Sequence, residues 1–150
     1  MTALARLHEH NAWANGRVLA ACRAASAQVL EPEGGESLIR RLRHQLAVEA
    51  SFLAAMRGEP LPTDIPRTVE GLEAFAAACS PGLIELAGSP PEALQRKFRI
   101  PWFERDFTLQ DGLSQVLSHS GQHRSEVAWE LARAGIDCGN LDYIFWVQQV

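Results

Sequence analysis

Two histidines four residues apart, His119 and His123, stand in the middle of a long helix-forming stretch. A helix turns once in about 3.6 residues, so side chains at this spacing point the same way and two imidazoles can share one metal ion. His44, on an earlier helix-forming stretch, is the candidate third ligand. Three neutral nitrogen donors leave other positions of a divalent ion open to water or substrate, whereas four protein ligands would close the site. The chemistry to expect is that of a metal which activates a ligand. From spacing alone, the alternative is a chance meeting of two histidines on a half-exposed helix.

The residues around these histidines carry further chemistry. Glu49 projects into an apolar helix face made by Leu38, Leu42, Phe52, Leu53 and Met56. A carboxylate there needs a partner, because an isolated buried charge is costly. Three partners are open to it: a nearby arginine, backbone donors, or the free ring N–H of a ligating histidine, whose tautomer it would then fix. On the first helix, His8, Asn11 and Asn15 share a face with Leu4, Leu7, Val18, Leu19 and Cys22. The two amides must be satisfied if buried. They either cross-link the helices or line a pocket beside the metal, and His8 is a further ligand candidate. Glu126 and Glu130 flank the histidine pair. Glu126 is open as a ligand, a base or a solvated group, and Glu130 is expected at the surface.

The elements that must position these groups are marked out by proline and by capping residues. A first helix is expected from about Thr2 to Ala25, ahead of the Pro32–Gly35 breaker, and a second from Ser37, its N-cap, to Gly58. A third begins near Thr68, with Pro81–Gly82 expected to kink or restart it before the stop at Gly88–Pro91. Lys97 to Phe107 reads as an irregular connector or short hairpin, interrupted by Pro101. Thr108 caps a fourth helix, with Asp111 placed as in a capping-box variant, running to Ala134 and stopped by Gly135. Its apolar stripe is Leu109, Leu113, Val116, Val127 and Leu131, with His119 and His123 along the edge. A short aromatic helix within Asn140 to Val150 closes the chain and needs a surface to dock on. Trp13, on the side of the first helix away from the core, suits that helix or a partner subunit. The sum is an all-α fold, a four-helix bundle with a short C-terminal helix, in one domain over residues 1–150. The long proline-rich link between the second and third helices leaves room for a crossover.

Composition narrows the function classes. A net charge of −4 with scattered arginines offers no basic stripe for nucleic-acid phosphates. The run Arg40, Arg41, Arg43 is expected as a solvated helix face. No apolar run approaches the roughly 20 residues that span a bilayer. The residues MTALARLHEHNAWAN lack the basic-then-apolar order of a secretory signal, so a cytoplasmic protein is expected. Cys22, Cys79 and Cys138 are odd in number and lack CxxC spacing, as reduced packing thiols would. Neither a nucleophile elbow, a phosphate-cradling glycine loop, HExxH nor a ferritin-type Glu-x-x-His pair is present.

Three segments together, NAWAN at 11–15, RHQLAVEASFLAAMRG at 43–58 and LSHSGQHRSEV at 117–127 followed by ARAGI, resemble the DinB-like superfamily of helical bundles. The resemblance runs nearly end to end. It implies one ligand histidine on the second helix and an H-x-x-x-H pair on the fourth, at His44, His119 and His123. It also implies a divalent ion, most often nickel or zinc, and a homodimer. The sequence departs from the common HRGQ at His123–Arg124–Ser125–Glu126, where serine for glycine asks for room between helices and Glu126 replaces an amide. Related bundles include metal-dependent transferases that use low-molecular-weight thiols. Two functions are therefore in play. One is a metalloenzyme acting on a small-molecule substrate, a thiol transferase or a hydrolase. The other is a non-catalytic bundle braced by its ion, with Trp13 or the aromatic C-terminal helix recruiting a partner.

Overall fold

The computed structural model describes residues 1–150. Four long helices form the body: α1 (Ala3–Ala24), α3 (Leu38–Arg57), α4 (Val69–Ala87) and α6 (Leu109–Arg133). Short helices α2 (Ala27–Leu30), α5 (Pro91–Leu94) and α7 (Tyr143–Val147) lie between or after them, and β1 (Lys97–Phe98) pairs antiparallel with β2 (Phe107–Thr108). Each long helix starts where a hydroxyl can satisfy free backbone N–H groups. Thr2, Ser37, Thr68 and Thr108 all accept such a bond. Thr108 and Asp111 complete a reciprocal capping box, at 3.1 and 2.9 Å. α3 ends at Gly58 with φ +72°, the left-handed conformation that a side chain disfavours.

α4 runs unbroken through Pro81, where a kink or restart was expected. Pro81 has no N–H to give the Ala77 carbonyl, but both residues are exposed and water can take that acceptor. On the opposite side, Leu72, Ala76, Cys79 and Leu83 are buried, so packing holds the helix across the lost bond. The short helices α2 and α5 were not anticipated from the sequence.

α1 packs against α4 and α6, and so does α3, which leaves α1 and α3 diagonally opposed. The proline-rich link joins the neighbours α3 and α4, with Ile65 buried in the core and its carbonyl accepting from Arg43 Nε at 3.1 Å. It is therefore not the crossover. The diagonal passages are the α1–α3 and α4–α6 connections.

Apolar side chains form two clusters stacked along the bundle. One holds Val18, Leu42, Leu72 and Leu131, the other Ala5, Phe52, Leu83 and Leu113. Leu7, expected on the core face of α1, is 40% exposed, and Ala5 and His8 take the inward positions. α7 docks on α1: Trp146 is buried, His10 stacks near Trp13, Tyr143 and Trp146, and His10 Nε2 lies 2.7 Å from the Leu141 carbonyl. Trp13 is thus half-buried in the aromatic seam that seats the C-terminal helix. No helix is long and apolar enough to cross a membrane.

Candidate metal centre

Between the two apolar clusters lies a buried polar layer: Asn11 and Asn15 from α1, Gln45 and Glu49 from α3, Ser120 and Arg124 from α6. Diagonal helices stand too far apart for small side chains to meet, and long polar ones bridge the gap. Glu49 is fully buried, and its Oε1 accepts from Ser120 Oγ at 2.6 Å, Asn15 Nδ2 at 2.9 Å, Asn11 Nδ2 at 3.2 Å and Gln45 Nε2 at 3.4 Å. Arg124 reaches the carboxylate only through the amides, donating to Asn11 Oδ1 at 2.7 Å and Asn15 Oδ1 at 2.9 Å. Burial pushes the Arg124 pKa down and the nearby Glu49 charge pushes it back up. The negative and positive charges are thus separated by one shell of amide dipoles that serves both.

Three members of this layer each have one of the candidate histidines just before them in sequence. His44 precedes Gln45, His119 precedes Ser120 and His123 precedes Arg124, so the layer continues outward into three imidazoles at the α3–α6 edge. One ring nitrogen from each lies within 4.8 Å of the others, and His44 Nε2 is 3.2 Å from His119 Nε2. Two nitrogens each about 2.0–2.1 Å from one ion stand roughly 2.9–3.4 Å apart at bond angles of about 90–110°. The closest pair already has that edge. Wider separations close by side-chain rotation, for which His44 is sufficiently exposed.

The electrostatics suit a cation. Burial, then the neighbouring His123 and His44, lower the His119 pKa to about 4, and burial with His123 lowers that of His44. Both rings are neutral at pH 7 and can offer lone pairs. His123 Nδ1 lies 2.9 Å from Glu126 Oε2, so with its proton on Nδ1 its Nε2 is the free donor. Burial alone would raise the Glu126 pKa, but hydrogen bonding from His123 and the Arg41 charge, 2.5 Å away, hold it below the ordinary range. Arg41 also pairs with Glu36. A group of three histidines able to hold a metal ion is therefore present, with a carboxylate orienting one ring.

Comparison with protein families matches the DinB family over residues 1–149. The chain belongs to the DinB family. A crystal structure of a DinB-like protein from Bacillus cereus superposes with a TM-score of 0.69 over 88% of this chain and 91% of that one, at 14% identity. That likeness is one of fold. Comparison with curated proteins finds no match.

Of the residues singled out in this DinB-family sequence, His44, His119 and His123 come together. Asn11, Asn15 and Glu49 join one another in the layer beneath. Glu49 takes none of its three expected partners directly. Neighbouring side-chain donors occupy Oε1, and His119 Nδ1 is buried without a bond to it. Glu126 binds His123 rather than sitting free in solvent. Glu130 is at the surface, pairing with Arg133. His8 stands apart from the three-histidine group, buried without a hydrogen-bond partner on either ring nitrogen. Ser125 is exposed and donates to the Gly121 carbonyl at 2.8 Å, so serine for glycine needs no extra room between helices.

Sequence reasoning missed Arg124, Ser120, Gln45 and Arg41. Ser120 and Arg124 fall in helical register with Val116, Val127 and Leu131, and that register was the available signal. The run Arg40, Arg41, Arg43 is not a uniform solvated face: Arg41 braces Glu126, Arg43 holds the α3–α4 link, and Arg40 is exposed.

Proposed function

We propose that His44, His119 and His123 hold a divalent ion, nickel or zinc, and that the protein is a metal-dependent enzyme acting on a small molecule through the ion's open positions. Transfer of a low-molecular-weight thiol to an electrophile is the reaction we favour, with metal-dependent hydrolysis as the alternative. The observation that carries the reading is the convergence of three imidazole nitrogens from two helices within 4.8 Å. A bound divalent ion would favour the ionised form of a thiol or of water at neutral pH.

The chain's own groups have separate tasks. Glu126 holds the proton of His123 on Nδ1, and Arg41 keeps Glu126 ionised. The polar layer fixes α3 against α6, so that His44 faces the other two rings. All three donors belong to α3 and α6, leaving the outward side of the group, lined by Glu36, Arg40 and Arg41, for a substrate. Exposed apolar residues, Trp129 at 67% and Ile144 at 59%, offer surface that a second copy could cover, and a homodimer belongs to this proposal.

Elemental analysis of untagged protein tests the reading, followed by thiol titration into the cobalt-substituted form. One ion per chain that is lost in His123→Ala, and a visible spectrum that changes with thiol, are expected. Unchanged metal content in His123→Ala would overturn the site. A spectrum indifferent to thiol, with chelation sharply lowering Tm, would leave the ion a purely bracing role.

A further inference from the structure

Two cavities meet at Arg40. One, of about 430 Å³, is lined by Glu36, Arg40, Arg41, His44, His123 and Glu126 and forms the mouth of the histidine site. The other, also of about 430 Å³, lies beside the start of α3 and takes Arg40, Arg43 and Arg67 along its wall, with Glu31 as its one carboxylate. The arginines of the two cavities are committed differently. In the first, Arg41 is neutralised by Glu36 and Glu126. In the second, none of the three guanidiniums pairs with a carboxylate, and Arg43 commits only its Nε, to the Ile65 carbonyl.

Three guanidiniums without an ion-pair partner share one cleft with a single carboxylate, Glu31, so the cleft carries a net positive charge that an anion would offset. They occur in a chain of net charge −4, so a basic composition does not account for them. The guanidinium fork matches the paired oxygens of carboxylate and phosphate. Arg40 lies one helical turn before His44, about 6 Å along the α3 axis. An anion in the cleft is therefore within a small molecule's length of the histidines.

We propose that the Arg40, Arg43 and Arg67 cleft is an anion-binding subsite opening onto the histidine site, and that the small molecule bound there carries a phosphate or polycarboxylate group. The link to chemistry rests on the metal reading above; anion binding itself does not.

The test uses inorganic phosphate, titrated into the EDTA-treated full chain while the arginine Nε–H signals are followed by NMR. Saturable shifts confined to Arg40, Arg43 and Arg67 are expected. Arg40→Ala and Arg67→Ala, both at exposed positions, should each weaken phosphate about tenfold, and His123→Ala should leave it bound. Non-saturable shifts, shifts shared equally by Arg23, Arg99 and Arg105, or unchanged affinity when Arg40→Ala and Arg67→Ala are combined would overturn the subsite. Duplex DNA that binds more tightly than phosphate at the same signals would overturn the small-molecule assignment. With cobalt(II) loaded, enhanced ³¹P relaxation of the bound phosphate is expected, and diamagnetic rates would break the link to the histidines. Failure to load cobalt at all would instead count against the metal reading, and the metal-free titration would still decide the cleft.

Discussion

Replacing His8 by leucine should abolish a large part of the protein's acid sensitivity. His8 is 2% exposed and its pKa falls from 6.5 to about 4. Burial causes the drop; the Leu113 backbone opposes it but does not supply the geometry of a hydrogen bond. The folded state therefore resists protonation that the unfolded chain accepts. Stability is complete above the unfolded value of 6.5, declines as pH falls, and stops declining near 4, where the folded ring also titrates. A gap of about 2.5 pH units at about 1.36 kcal/mol each makes this contribution about 3 kcal/mol. Urea denaturation of wild type and His8→Leu at pH 7.5 and pH 4, with EDTA and fixed ionic strength, measures it. Wild type should lose about 3 kcal/mol more than the variant over that interval. Contributions from His44 and His119 are common to both proteins and cancel. At pH 7.5 the variant should be at least as stable as wild type, because two buried ring nitrogens without partners have been removed. Parallel pH profiles, or a variant several kcal/mol weaker at pH 7.5, would refute the reasoning.

Glu126→Gln should lower metal affinity about 10- to 100-fold without unfolding the bundle, since it removes the charge that orients His123; competition with a chromophoric chelator measures this, and unchanged affinity would end that role. Arg124→Met should cost about 3–5 kcal/mol in urea denaturation because it leaves Glu49 charged and buried, and adding Glu49→Gln should recover part of the loss. If the two substitutions are simply additive, the amide shell does not couple the charges. Gly112→Ala should destabilise by about 1–3 kcal/mol, because its Cβ would come 2.8 Å from Phe98 Cζ and 2.9 Å from Met56 Sδ; thermal melts would detect it.

Helix ends were legible because they are local. Ser37, Thr68 and Thr108 each bond a backbone N–H three residues on, and Gly58 supplies a left-handed exit, so residue type alone marked the boundaries. The course of the chain between helices was less accessible. Length and prolines suggested a crossover after α3, yet the long proline-rich link is held against the core by Ile65 and Arg43 and joins neighbours. Pro81 misled for a related reason: its cost is local, but whether a helix survives depends on tertiary packing along its other face.

In the site, histidine spacing was legible and charge compensation was not. His119 and His123 announce themselves because a helix fixes their relative direction, and His44, a candidate from its place on an earlier helix, is supported by the resemblance. Glu49 was recognisable as a carboxylate in need of a partner, but the partner was sought among single residues that could neutralise it. The structure answers with a relay: Ser120 and three amides take the carboxylate, and Arg124 takes two of those amides. Such a relay has no short sequence signature, since its members come from three helices and only their common depth in the bundle unites them. That depth also explains why it matters. Because each histidine adjoins a member of the layer, any slip of α3 against α6 that separated His44 from the other two rings would also strip Ser120 from Glu49. The buried bonds thus tie the outer site to a single helix register, and an apolar layer at the same depth would tolerate a slip far more readily.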